Sequence, residues 1–184
     1  SAMLLIAPLL DGAVIRSEHE LISLPHINMT LDMMRATGIA CSKLSASEWK
    51  LEEGKPTASE IKIEADLSNA GPFLCAGILS GGSLAIPHWP VSSTQPGAMW
   101  PELFERMGIE TQFVAKGSEN GTLLVHGEGP GSFQGITCDM SAMGEMVPTL
   151  AALLLFAKTP STLSGIAHLR GHETDRLEAI ADSI

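Results

Sequence analysis

The sequence has few positively charged residues. Its 11 Lys and Arg residues stand against 21 Asp and Glu residues, which gives a formal net charge of −10 at pH 7. Nucleic acids and anionic membranes attract proteins through basic surfaces, so this charge balance argues against both as general partners. An anionic substrate would have to bind at a local cluster of cations.

Patterns typical of metal sites are also missing. The three cysteines, Cys41, Cys75 and Cys138, are far apart, and each lies among apolar or small neighbours. No pair has the CxxC spacing of a zinc site, and the six histidines form no HExxH motif. We interpret the cysteines as reduced core residues, which favours a cytoplasmic protein, and we predict no metal site.

No apolar run has the length of a membrane span. The opening run, residues 3–10, is far shorter than the roughly 20 residues that a bilayer requires, and no basic leader precedes it. We therefore expect neither a signal peptide nor a membrane anchor. The chain does have 45% hydrophobic and 17% charged residues over a length of 184. This balance is typical of a packed globular protein that forms one ordinary domain or two parts of a larger pair.

The apolar pattern predicts three rounds of similar elements. A helix end, a turn and a strand recur in APLLDGAVI, AGILSGGSLAI and LLLFAKTPSTLSGI. Their spacing of roughly 70 to 80 residues suits a βαβαββ unit. Residues 48–57, rich in Glu, Lys, Gly and Pro, are predicted to form a hairpin or linker. Helices are predicted at about 3–10, 23–38, 68–79, 101–108, 150–156 and 174–184, and strands at 13–15, 61–64, 83–86, 111–115, 122–125 and 162–166.

The segment HLRGHETDRLEAIADSI concentrates charge at the start of the last predicted helix. Six ionisable residues fall within nine positions: His168, Arg170, His172, Glu173, Asp175 and Arg176. At helical spacing, His172 and Glu173 can share one side of the first turn with Arg176. Backbone amides at a helix start also favour an anion. By spacing alone, however, such a segment is more often a solvated surface whose charges pair with one another.

The sequence LRGHETDRLEAIA resembles the K-E-[ST]-D-R signature of the 3-phosphoshikimate 1-carboxyvinyltransferase (EPSP synthase) family, with histidine where lysine is common. The resemblance extends, in the family's order, to SAMLLIAPLL, SLPHINMTLDMMRATGI, IEADLSNAGPFLCAGILSGG and CDMSAMGEMVPTLAALLLFA. It covers nearly the whole chain. It implies the α/β (α+β) fold of the enolpyruvyl transferases, an inverse α/β barrel in which each of two similar domains has three βαβαββ units.

The resemblance also implies how the chain is divided. Residues 1–60 correspond to part of the last unit of one domain, and residues 61–184 to part of the second domain, incomplete at both ends. The family's Ser-Ser-Gln phosphate contact and several cleft lysines and arginines have no counterpart in this chain. We therefore expect the 184 residues alone to be inactive and able to self-associate through uncovered apolar surface, and the full-length enzyme to be a monomer.

The implied reaction transfers the enolpyruvyl group of phosphoenolpyruvate to the 5-hydroxyl of shikimate 3-phosphate and releases phosphate. It needs no metal or organic cofactor, because protonation of phosphoenolpyruvate at C3 prepares C2 for attack by the hydroxyl. The enzyme has to hold two anions together and to stabilise developing positive charge.

Three residues carry the implied chemistry. Glu145 lies where the family usually has its catalytic aspartate, and a carboxylate there can take the proton of the attacking hydroxyl. Glu173 matches the glutamate that lies beside C3 of phosphoenolpyruvate. Arg176 matches the arginine that holds the phosphoenolpyruvate carboxylate, for which a guanidinium is well suited. Without the resemblance, Glu145 would be a glutamate favoured by the helix dipole, and Arg176 would pair with Asp175 or Glu173.

Four more residues match positions that contact shikimate 3-phosphate. Ser23 corresponds to a phosphate-binding serine, although a serine at a helix start is also an ordinary N-cap. His26, His168 and His172 replace a tyrosine, an asparagine and a lysine of the family, and a histidine at 172 would add a pH dependence. Arg170 matches the signature's arginine and is expected only to brace the loop.

Two alternatives remain open at this stage. One is an enolpyruvyl transferase acting on a UDP-sugar, although that relative uses a cysteine in a flexible loop as general acid and no cysteine here has a comparable context. The other is a non-catalytic fragment or binding module.

Overall fold

The computed structural model describes residues 2–19, 21, 24–57, 60–171 and 174–183. The chain divides into two compact units, Ser1–Ile63 (unit 1) and Glu64–Ile184 (unit 2). Each is described by itself. The assignment of residues 1–60 and 61–184 to parts of two transferase domains stays a prediction.

Unit 1 packs two helices on a three-stranded antiparallel sheet of order β1-β3-β2. Helix α1 spans Ala2–Ile6 and continues as a 3-10 turn, Ala7–Leu9, and α2 spans Leu24–Ala36. The strands are β1 (Ala13–Arg16), β2 (Cys41–Ser45) and β3 (Glu48–Leu51). Gly38, with φ of 87°, ends α2 in the left-handed region that favours glycine. The core of the unit is formed by Leu4, Ala7, Leu31, Met34, Ile39, Trp49 and Leu51.

One prediction about the strands is wrong, and another is right only in part. Residues 48–57 were expected to form a hairpin or linker. Residues 48–51 instead form β3, the central strand of the first sheet, which pairs with both neighbours, whereas residues 52–57 belong to no helix or strand. The alternation of β3 buries Trp49 and Leu51, which offsets the polar composition around them. Residues 61–64 were expected to form a strand, but they are exposed and belong to no strand. Strands β2 and β7 (Thr137–Asp139) were not predicted.

Trp49 is buried, but its indole Nε1 has no hydrogen-bond partner among the residues that the structure describes. We expect Trp49→Phe to change the free energy of unfolding by less than about 1 kcal/mol. Loss of ring area costs about 1–2 kcal/mol, while removal of an unpaired buried donor offsets about the same amount. Denaturant titration measures the difference. Trp100→Phe is the matched control, because Trp100 Nε1 donates to the Leu67 carbonyl at 3.1 Å. Equal losses in the two variants would contradict the prediction.

Unit 2 begins with helix α3, Leu67–Leu79, capped by Asp66, whose side chain accepts a hydrogen bond from the Asn69 amide. An antiparallel sheet of order β4-β6-β5 follows, formed by Ser83–Pro90 (β4), Glu110–Lys116 (β5) and Asn120–His126 (β6). Helix α4, Trp100–Arg106, connects β4 to β5. These elements confirm the helices and strands predicted around 68–79, 83–86, 101–108, 111–115 and 122–125.

Helices α3 and α4 meet at a close contact. The ring of Trp100 lies on Gly71, where an added Cβ would stand 2.4 Å from Trp100 Cζ2. Trp100 stacks on Phe104, with ring centroids 5.3 Å apart, and both side chains are fully buried. Because glycine leaves room for the indole, this contact forms the centre of the core of unit 2.

The last part of unit 2 forms a crossover between two parallel strands. Strand β7 is followed by a 3-10 turn, Gly144–Met146, and by helix α5, Val147–Leu154, before the chain returns as β8, Thr162–Ser164. A 3-10 turn, Ala167–Gly171, and helix α6, Arg176–Ser183, then follow. The strands are parallel, so the segments that leave their carboxyl ends start at the same edge of the sheet. None of the helices in the described ranges combines the length and apolarity needed to cross a bilayer.

Candidate functional site

The candidate site is built from the two segments that leave the carboxyl ends of β7 and β8. The first carries Glu145, and the second carries His168 and leads into α6, whose first residue is Arg176. Next to the strands, Asp139 accepts a hydrogen bond from the Ser141 amide at 2.8 Å, and this bond lowers the pKa of its carboxyl. An added Cβ on Gly165 would lie 2.4 Å from Asp139 Oδ1. The two segments therefore pack closely where they leave the sheet.

Glu145 and Arg176 form an ion pair between these segments. Arg176 Nη1 lies 3.1 Å from Glu145 Oε2, although the residues are 31 positions apart. The side chains of Arg176 and Glu145 are 25% and 40% exposed, so the pair is partly shielded from solvent. The sequence left open a pairing of Arg176 with Asp175 or Glu173. The Asp175 carboxylate contacts Arg170, and Glu173 lies outside the described residues. Arg176, which is expected to bind the carboxylate of phosphoenolpyruvate, thus lies beside Glu145, which is expected to act as a base.

His168 lies against the turn that carries Glu145. An added Cβ on Gly144 would stand 2.6 Å from His168 Nε2. A larger residue at 144 would require the half-buried imidazole of His168 to move. Gly144 was not predicted as a site residue from the sequence. Its position directly before Glu145 is the only indication of its role there.

Asp175 holds the first turn of α6. Its Oδ1 accepts hydrogen bonds from the amides of Leu177 and Glu178, each at 3.0 Å, and its Oδ2 accepts one from Arg170 Nη1 at 2.8 Å. The hydrogen bond from the Glu178 amide is the largest cause that lowers the pKa of this carboxyl, and Arg170 contributes further. Asp175 is therefore an N-cap that also bears an ion pair.

A dependence of stability on pH follows from Asp175. The folded state lowers its pKa below the ordinary 3.8. Its contribution is therefore fully present above the unfolded pKa and is lost as pH falls through the folded pKa. Asp175→Asn keeps an acceptor at the N-cap but does not titrate. We expect the stability difference between the original chain and this variant to be largest above about pH 5 and to shrink below about pH 4. Denaturant titration across pH measures it, and a difference independent of pH would contradict the prediction.

The other predicted site residues divide into two groups. Ser23, His172 and Glu173 lie outside the described residues. His26 lies in the first turn of α2, in unit 1, where it is half-buried and its carbonyl accepts a hydrogen bond from Thr30 Oγ1 at 2.8 Å. The structure thus brings together Glu145, His168 and Arg176 within unit 2. Their catalytic and binding roles stay predictions.

A shallow groove adjoins the ion pair. It has a volume of about 320 Å³ and is mostly apolar. Arg176 is its charged member, and the other lining residues are Pro148, Ala152, Leu155, Ala179, Ile180 and Ser183. Within the described part of the chain, no group of three or more His, Cys, Asp or Glu side chains could hold a metal ion.

Solved structures with the same fold are enolpyruvyl transferases. An EPSP synthase structure from Acinetobacter baumannii aligns with a TM-score of 0.72 and 21% identity, covering 99% of this chain and 41% of that one. The enolpyruvyl transferase NikO from Streptomyces tendae aligns with a TM-score of 0.57 and 18% identity, covering 83% of this chain and 36% of that one. The predicted fold class is thereby confirmed.

Sequence comparison identifies the family within this class. The family model described as EPSP synthase (3-phosphoshikimate 1-carboxyvinyltransferase) matches residues 1–184. The chain belongs to the EPSP synthase family, which confirms the resemblance seen in its motifs.

Curated relatives named 3-phosphoshikimate 1-carboxyvinyltransferase agree with this assignment. The protein from Kocuria rhizophila is 41% identical over 162 residues, covering 88% of this chain and 35% of the relative. The protein from Bifidobacterium longum is 41% identical over 189 aligned residues, covering 100% of this chain and 42% of the relative. The chain therefore spans about two fifths of the length of these relatives.

Proposed function

We propose that the full-length protein containing this chain transfers the enolpyruvyl group of phosphoenolpyruvate to the 5-hydroxyl of shikimate 3-phosphate and releases phosphate. The observation that carries the proposal is the 3.1 Å contact between Arg176 Nη1 and Glu145 Oε2. It unites the two residue types that the reaction requires, a receptor for a carboxylate and a base for a hydroxyl. Membership of the family supplies the identity of the substrates.

Arg176 binds the carboxylate of phosphoenolpyruvate. A guanidinium presents donors in a planar fork that suits a carboxylate, and partial burial strengthens the contact. Arg176 Nη1 contacts Glu145 Oε2. The incoming carboxylate therefore competes with Glu145 for Arg176, and its binding leaves the Glu145 carboxylate available to the second substrate.

Glu145 accepts the proton of the 5-hydroxyl as that oxygen attacks C2 of phosphoenolpyruvate. Glu173 supplies a proton to C3 in the addition step. In the elimination step the Glu173 carboxylate takes a proton back from C3, the C2=C3 double bond re-forms, the C2–O bond to phosphate breaks, and the proton held by Glu145 leaves with the phosphate. The two carboxylates divide the proton transfers, so no metal or organic cofactor is needed.

The remaining predicted residues bind shikimate 3-phosphate. By the family resemblance, Ser23 is assigned to the phosphate, and His26, His168 and His172 are assigned to the ring and its hydroxyls. Among these, His168 has structural support, since its ring lies beside Gly144 and thus next to the residue that bears the base. A histidine at 172, in place of the family's lysine, would give the reaction a pH dependence.

The family match favours this reaction over transfer to a UDP-sugar. The general acid of that alternative is a cysteine in a flexible loop, whereas Cys41 lies in β2, Cys75 in α3 and Cys138 in β7. Burial raises the pKa of Cys75 to about 12, which keeps it a thiol at neutral pH. All three are unpaired thiols, which supports a reducing compartment such as the cytoplasm.

Phosphate release with both substrates tests the proposal. The full-length protein should release phosphate from phosphoenolpyruvate when shikimate 3-phosphate is present, and not when UDP-N-acetylglucosamine replaces it. Phosphate release with UDP-N-acetylglucosamine but not with shikimate 3-phosphate would overturn the choice of substrate. The 184-residue chain, assayed in parallel, is expected to release none, and sedimentation would show whether exposed side chains such as Met3 and Leu10 make it self-associate.

A further inference from the structure

We propose that Arg170 and Asp175 form a clamp that positions Arg176 for the carboxylate of phosphoenolpyruvate. The inference rests on the proposed function, since it assigns Arg176 to that substrate. Neither clamp residue is proposed to touch the substrate. Both are positioning residues that act through the first turn of α6.

The first part of the clamp is the carboxylate of Asp175. Its Oδ1 bonds the amides of Leu177 and Glu178, and the Asp175 carbonyl accepts a hydrogen bond from the Ala179 amide at 3.0 Å. These three bonds surround Arg176, which is the first residue of the helix. The position of the Arg176 backbone is therefore set by Asp175.

The second part is Arg170, which connects Asp175 to the core. Arg170 Nη1 donates to Asp175 Oδ2 at 2.8 Å. Arg170 directly follows Leu169, which is fully buried in the core of unit 2. The ion pair thus ties the start of α6 to a fixed point on the 3-10 turn Ala167–Gly171, across residues 171–174.

Besides the clamp and the ion pair of Arg176 with Glu145, helix α6 has few contacts to the core. None of its described residues is buried, and its apolar contacts to the core come from the partly buried Leu177 and Ile180. Few buried contacts allow a short helix to shift or fray. The clamp therefore controls where the Arg176 guanidinium lies relative to Glu145 more than apolar packing does.

Because Arg170 is exposed, its ion pair should affect the position of Arg176 more than the stability of the fold. Its side chain is 62% exposed, and an exposed ion pair adds little to the stability of a fold. A guanidinium that binds a planar carboxylate is, by contrast, sensitive to small displacements. Loss of the clamp should consequently weaken the binding of one substrate while the protein remains folded.

Steady-state kinetics of the full-length protein test the clamp. Arg170→Gln and Asp175→Asn, which both remove the ion pair, should each raise KM for phosphoenolpyruvate by about 10-fold. KM for shikimate 3-phosphate should stay within about 2-fold in both variants. The melting temperature should change little in Arg170→Gln, whereas Asp175→Asn also loses the contribution of the carboxylate to stability at neutral pH. Arg170→Lys keeps a positive charge and should recover most of the loss. Asp182→Asn is the matched control for Asp175→Asn, because it removes the same charge from the last turn of α6.

The outcomes separate the clamp from the proposed function. If the original protein turns over both substrates but KM for phosphoenolpyruvate is unchanged in Arg170→Gln and Asp175→Asn, the clamp alone is overturned. Equal rises in both KM values that follow a loss of melting temperature also overturn it, because they indicate a merely structural role. An original protein without turnover overturns the proposed function and the substrate role of the clamp together. Hydrogen exchange tests the structural part of the proposal separately. Faster exchange at the Leu177 and Glu178 amides in Arg170→Gln would support a role of Arg170 in holding the first turn of α6, and unchanged exchange would contradict that role.

Discussion

Glu145→Gln in the full-length protein is expected to lower kcat for phosphate release by about 10²- to 10⁴-fold, the usual contribution of a general base. Glutamine has nearly the same shape and can still accept a hydrogen bond from Arg176, but it cannot take a proton from the 5-hydroxyl. The variant should bind phosphoenolpyruvate at least as tightly as the original protein, because the charge of Arg176 is no longer compensated by the ion pair. Steady-state kinetics and equilibrium binding of phosphoenolpyruvate measure the two effects separately.

Two further variants make this result interpretable. Glu145→Asp restores the carboxylate and the length that the family usually has, so it should retain far more activity than Glu145→Gln. Glu178→Gln removes the same charge from an exposed position on α6 and should leave kcat within about 2-fold. A Glu145→Gln protein with kcat close to that of the Glu178→Gln control would show that Glu145 is only the ion-pair partner of Arg176.

Trp100→Ala should destabilise unit 2 by about 3–5 kcal/mol, the cost typical of deleting a large buried aromatic side chain. The indole is fully buried between Gly71 and Phe104, and its Nε1 donates to the Leu67 carbonyl. Gly71 has no side chain that could fill the vacated space, so the cavity should collapse poorly. The variant would also leave the Leu67 carbonyl without this donor, which adds to the loss.

Denaturant unfolding of the 184-residue chain measures this effect. Phe73→Ala is the matched control, because Phe73 lies on the same helix as Gly71 but is 66% exposed. It should cost less than about 1 kcal/mol. A loss below about 2 kcal/mol for Trp100→Ala would mean that neighbouring residues close the cavity, contrary to the tight packing around Gly71.

Helices were easier to predict from the sequence than the strands of the first sheet. Pro25 and Pro101 mark helix starts, and Gly38 and Gly108 mark helix ends, through local backbone preferences that tertiary contacts did not change. Strand β3 is short and surrounded by charged residues, and its place depends on pairing with β1 and β2. Pairing of this kind involves distant residues, so a local pattern cannot reveal it.

Part of the site could be predicted only through family resemblance. Spacing within HETDR relates residues one turn apart, whereas the contact of Arg176 with Glu145 spans 31 positions and depends on the crossover between β7 and β8. Without the resemblance, Arg176 was expected to pair with Asp175 or Glu173. As an N-cap, Asp175 turns one oxygen to the helix amides, and its other oxygen meets Arg170. Neighbouring positions in sequence thus have different partners.

The contact between Gly144 and His168 has a consequence for how the family can vary. The imidazole nitrogen lies 2.6 Å from where a Cβ at position 144 would stand, so the two side chains compete for one volume. A relative with a larger residue at the first position must carry a smaller or differently oriented side chain at the second. Substitutions at these two positions should therefore occur in pairs, and the residue found at one should indicate which residues the other can accept.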